Sequence, residues 1–102
     1  MQEKNNFYAS FSNVQKSDIR NAFEKEGWIS RKCTWADFEL SNEWSTLVLE
    51  GDSANPLLNG IVQFTEQNLK NLDRILESLM SKYQYEFYDQ NGNCIVQKNN
   101  AS

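Results

Sequence analysis

Apolar and polar positions along this chain repeat with two distinct periods, and each period predicts a type of element. Phe7, Ala9 and Phe11 alternate with Tyr8 and Ser10, the pattern of a strand with one apolar face. Helical spacing follows, with Ser17 read as the N-cap, Asp18 in the positive first turn, and Ile19, Ala22 and Phe23 as the inner stripe. Gly27 stands where the left-handed residue of a helix C-cap belongs, and Trp28 follows as its hydrophobic partner. Three strand-like stretches come next, Ile29 to Trp35, Phe38 to Leu40 and Ser45 to Glu50, with Ser41-Asn42 as turn material. Gly51 to Pro56 reads as a loop. Leu57 to Phe64 is a further strand in which Gly60 marks a bulge or a close backbone approach.

The second helix opens on Thr65 and carries Leu69, Leu72, Leu76, Leu79 and Met80 at helical spacing. Its polar face holds Glu66, Lys70, Asn71, Arg74 and Glu77, a solvated surface. Tyr85 and Phe87 then alternate with Glu86 and Tyr88, Asn91-Gly92 supplies a hairpin signal, and Cys94-Ile95-Val96 returns. The order predicts an α+β fold in which two helices pack on one face of a mostly antiparallel sheet of about five or six strands, near the usual sheet size. A ferredoxin-like relative is the leading topology. The 102 residues form a single domain, with short polar tails at about 1–6 and 98–102.

Composition narrows the chemistry. Hydrophobic residues make up 39% and aromatics 13%, enough apolar material for a packed core at a formal charge of −4. Histidine is absent, which removes Ser-His and Cys-His nucleophile pairs and histidine-based zinc sites. No dinucleotide fingerprint, phosphate loop, zinc spacing or nucleophile elbow occurs, so neither an enzyme, nor a cofactor, nor a metal site is expected. Cys33 and Cys94 form no framework and read as two free, buried small hydrophobes. No apolar run is long enough to span a bilayer or to form a signal-peptide core, which points to the cytoplasm.

Charge is distributed unevenly. Between Lys32 and Lys70 there is no basic residue, while Asp37, Glu39, Glu43, Glu50, Asp52 and Glu66 make the segment formally −6. Trp35 and Trp44 lie in the same block. With Phe38, Leu40, Leu47 and Leu49 inward, strand alternation turns Asp37, Glu39 and Glu50 to the other face. Carboxylates around tryptophan suit a cationic partner, the acids steering encounter and the ring supplying desolvated contact. The candidate partner-binding residues are therefore Trp35, Asp37, Glu39, Glu43, Trp44, Glu50 and Asp52. Without a basic stripe, direct contact with nucleic acid is not expected.

Gly27-Trp28, Trp35, Phe38-Glu39-Leu40, Asn42-Glu43-Trp44, Leu49-Glu50-Gly51 and Pro56-Leu57-Leu58-Asn59-Gly60 together resemble small bacterial immunity proteins encoded beside polymorphic toxins, including those of contact-dependent growth inhibition. The resemblance spans roughly residues 18 to 64. It implies a non-catalytic inhibitor that binds a cognate toxin domain in the cytoplasm, often a nuclease with a basic cleft, without membrane or direct nucleic-acid contact. The competing reading from the residues alone is a small ligand-binding or regulatory α+β module whose aromatics line a pocket.

Overall fold

The computed structural model describes residues 5–33, 37–52 and 54–100. In it the first apolar alternation becomes β1 (Phe7–Ser12), which leads into α1 (Lys16–Lys25). A meander of β2 (Ile29–Lys32), β3 (Phe38–Asn42), β4 (Ser45–Gly51) and β5 (Pro56–Val62) follows, then α2 (Glu66–Glu77) and the hairpin of β6 (Lys82–Tyr88) and β7 (Cys94–Asn100). The sheet order is β2-β3-β4-β5-β1-β6-β7, and every pairing is antiparallel. Seven strands exceed the expected five or six. All the strand-like segments join one sheet, whereas the expectation followed typical sheet size.

Register fixes the two faces. Val96, Phe87, Phe7, Gly60, Leu47 and Leu40 stand in one cross-strand row, and Tyr85, Ala9, Leu58, Leu49 and Phe38 in the next one on the same face. The Arg20 guanidinium of α1 lies 4.9 Å from the Phe38 ring centroid, and Tyr85 donates to Asp73 of α2, so both helices cover this face. Ile19, Phe23, Leu72, Ile75 and Leu76 complete the core. Arg74 of α2 reaches Glu26 at 2.6 Å and ties the helix ends together.

Helix α1 begins two residues earlier than expected. Gln15 is the N-cap and its side chain makes no capping bond, so Ser17 lies inside the first turn. Its C-terminus follows the expectation closely. Trp28 N–H donates to Phe23 and Gly27 N–H to Glu24, with Gly27 at φ +90°, and the Phe23 and Trp28 rings meet edge to face at 4.8 Å. These are the two backbone bonds and the apolar contact of a Schellman motif. Thr65 caps α2 by accepting from Asn68 N–H at 3.0 Å.

Other expectations change at element ends. Met80 is 92% exposed at φ +55°, because α2 stops at Glu77 before the helical stripe reaches it. The β3–β4 turn falls on Glu43-Trp44, since Asn42 still pairs with Ser45. Strand β7 runs through Asn100, so Lys98 is no tail residue; it bridges to Asp73 at 2.6 Å and Glu77 at 3.0 Å. Both cysteines are exposed rather than buried, Cys33 just past β2 and Cys94 opening β7. Those strands are the two edges of the sheet, six inter-strand steps apart, roughly 29 Å at the usual spacing. A disulfide within one chain needs Cα atoms within about 7 Å, so both thiols stay free.

Candidate functional site

Among the described residues no helix lies on the second face of the sheet, which presents Tyr8, Leu57, Asn59, Ile61, Val48, Glu50, Glu39 and Glu86. At one end of this face the N-terminal segment, the β3–β4 turn, the link from β5 to α2 and the β6–β7 loop converge around a broad, open groove of about 1790 Å³. Its walls carry the aromatics Tyr8, Trp44, Phe64 and Tyr88 and the acids Glu43, Glu86 and Asp89. No lysine or arginine lines it among the described residues.

Local bonding explains why these groups hold their places. Asn6 accepts from Val62 N–H and donates to Val62 C=O, both at 2.8 Å, clamping the chain entry beside β5. Asn42 accepts from Trp44 N–H at 2.9 Å, and Gln63 N–H donates to Trp44 C=O at 2.8 Å, so the turn is tied from both sides. The half-buried Trp44 ring packs edge to face on Trp28 at 5.2 Å, which seats it against the core. Tyr8 and Tyr88 meet edge to face at 5.7 Å, and the Tyr88 hydroxyl donates to Glu86 at 3.1 Å. That bond to a carboxylate raises the pKa of Tyr88, so it remains a donor at neutral pH. Asp89 accepts from Asn91 and Asn93 N–H at 2.8 and 2.9 Å, and the Asn93 bond foremost lowers its pKa below the ordinary carboxylate range. Asp89 thus stays negative while it builds the β6–β7 loop.

The residues expected to bind a partner do not form one cluster. Glu43 and Trp44 sit in the groove wall. Glu39 and Glu50 lie on the open face beyond it, Glu39 paired with Arg31 at 3.2 Å and Glu50 accepting from Asn59 at 3.2 Å. Asp52 is exposed at the far end of β4, where it accepts from Ala54 N–H, and is roughly 20 Å along the strand from Glu43. Asp37 does not join the outward acids. It precedes the first paired residue of β3, so alternation no longer governs it, and it bonds Lys16 of α1 at 3.0 Å. Trp35 lies outside the described residues.

Tyr8, Glu86, Tyr88 and Phe64 were not among the expected site residues. The outward parity of Tyr8 in β1 and of Glu86 and Tyr88 in β6 is the signal that marks three of them, once β1 and β6 are known to be neighbours. Among the described residues no group of three or more cysteines, aspartates or glutamates is placed to hold a metal ion. No protein-family model, curated protein or solved structure matches the chain.

Proposed function

We propose that this chain is an immunity protein that binds a cationic toxin domain, a nuclease in the reading implied by the sequence resemblance, and blocks it by occupancy without turnover. The observation that carries the reading is the groove, which combines four aromatic rings with three carboxylates and no cation among its described lining residues. A basic protein surface is the complementary occupant, drawn by the acids and held by the rings. Glu39 and Glu50 extend the negative field along the open face and serve steering more than contact. A nuclease cleft that holds phosphate has the matching sign.

The small-ligand reading is less well supported. Pockets for small molecules are enclosed and usually about 300–1,000 Å³, whereas this groove is open and larger. We also read the central strands β4-β5-β1-β6 as a ferredoxin-like arrangement into which the β2–β3 hairpin is inserted and to which β7 is added; their order and the two helices that follow β1 and β5 support it. Among the described residues no helix is long and apolar enough to cross a membrane, and a cytoplasmic site of action is part of the proposal.

The test is co-expression with a cationic toxin domain sought in the genes next to this one, scored by pull-down at low salt and by growth. A complex and protected growth are expected. Reversing Glu43 and Glu86 to lysine should slow association roughly tenfold and flatten its salt dependence, while Glu66→Lys on α2 leaves both unchanged. Absence of a complex together with unprotected growth refutes the proposal.

A further inference from the structure

We propose that Glu86, Tyr8 and Tyr88 form an anchor for an arginine side chain of a protein partner. The inference rests on the reading of the groove as a protein-binding surface, and it assigns the residue type that the groove takes. Glu86 is half-buried, and among the described residues it has no ion-pair partner. Its neighbours in the ladder are Tyr8 on β1 and Gln97 on β7, neither of them a cation. One carboxylate oxygen, Oε2, takes the Tyr88 hydroxyl at 3.1 Å, and the described residues give Oε1 no hydrogen bond. Oε1 is not among the buried atoms without a partner, so it is open to solvent and available to an incoming cation, with Oε2 already fixed by Tyr88.

Of the other acids of this surface, Glu43 on the β3–β4 turn is exposed and solvated, and the rest are already engaged. Glu39 holds Arg31, Glu50 holds Asn59, and Asp89 holds the backbone of its own loop. Beside Glu86, Tyr8 is 41% exposed, and its ring is set edge to face with Tyr88 at 5.7 Å. The Tyr8 hydroxyl donates to Asn5 C=O at 3.3 Å and the Tyr88 hydroxyl to Glu86, so both rings are held before any ligand arrives. Ring surface next to a carboxylate suits a flat guanidinium, which stacks and forks its donors at once. A lysine ammonium, compact and strongly hydrated, uses the carboxylate alone.

The full chain is titrated with N-acetyl-arginine methylamide, the lysine counterpart and the uncharged citrulline counterpart, following amide shifts by NMR. For arginine we expect saturable shifts at Tyr8, Glu86 and Tyr88 with a dissociation constant on the order of 10 mM, and none at the distant Asp52. Lysine should bind at least about threefold more weakly and citrulline without saturation. Glu86→Gln, with its native spectrum retained, should weaken arginine binding about fivefold. Tyr8→Ala, a surface change, should do so about threefold. Equal shifts with citrulline, no saturable shift with arginine, or unchanged binding in both variants overturns the anchor. A toxin complex that forms with the same affinity in Glu86→Gln overturns the anchor and leaves the immunity reading standing. Arginine binding with no toxin complex does the reverse.

Discussion

Gly60→Ala tests whether the centre of the sheet is packed as described. Gly60 sits opposite Phe7 on one side and Leu47 on the other. A Cβ built on it would run into the Thr46 carbonyl oxygen and would lie 2.8 Å from Leu47 Cα and 3.0 Å from a Leu47 methyl. The first two obstacles are backbone atoms of β4, which cannot yield without separating paired strands. Overpacking a core costs about 1–3 kcal/mol, and rigid neighbours put this site at the upper end. A loss of about 3 kcal/mol is a large share of the roughly 5–15 kcal/mol that holds a domain folded, and in a chain of this size it lowers Tm by about 12–24 °C. In urea, with a slope of about 1.5 kcal/mol/M, the midpoint should fall by about 2 M. Gly92→Ala is the informative comparison, because open space surrounds its Cβ and only its φ of +85° is unfavourable. That costs roughly 1 kcal/mol. Urea unfolding followed by tryptophan fluorescence measures both. If Gly60→Ala loses less than Gly92→Ala, the close approach between β4 and β5 is wrong.

Two further outcomes follow from the polar edges of the fold. Burial of Tyr85, and next the Asp73 carboxylate that accepts its hydroxyl at 3.0 Å, raise its pKa well above the ordinary phenol range. The unfolded phenol releases its proton near pH 10 while the folded one keeps it, so this contribution is intact below about pH 10 and is lost as pH rises further. The urea midpoint of the natural chain should therefore fall more steeply than that of Tyr85→Phe between about pH 9 and 11, and parallel slopes refute the assignment. Both thiols, exposed at opposite sheet edges, should react with a thiol reagent in the folded protein without denaturant or reductant. A count below two per chain would contradict that placement.

The sequence period carries the elements well and their assembly poorly. Both helices and all seven strand segments are legible as alternation or helical spacing, and so are Gly27 with Trp28, the Thr65 cap and the tight passage at Gly60. In each case the physical cause lies within a few residues. What decides the site is long-range. Strand β1 inserts between β5 and β6, about fifty and seventy-five residues away, and only that pairing sets Tyr8 beside Glu86 and Tyr88. The contiguous acidic block gives a false sense of one surface, because its strands run antiparallel and deliver Glu43 to one end of the sheet and Asp52 to the other. The cysteines mislead for a related reason. An apolar stretch predicts burial only for an inner strand, and neither neighbouring strand is visible from the stretch itself.

The open face is itself a consequence of topology. Strands β1 and β2 run parallel with β5, β4 and β3 between them, and β5 and β6 run parallel with β1 between them. The α1 and α2 crossovers therefore proceed toward opposite edges of the sheet from strands that point in opposite directions. Two such crossovers are related by a half-turn about the sheet normal, so the same right-handed sense places both helices on the same side. No third crossover exists to cover the other side among the described residues. The chain must keep that face compatible with water, and it does so by setting Glu39, Glu50, Asn59 and Glu86 among Val48, Leu57 and Tyr8. Most of these polar groups have a partner within the face. Glu86, with Oε1 unbonded beside two fixed rings in the groove wall, is where the covering we propose, a cation from another molecule, would sit.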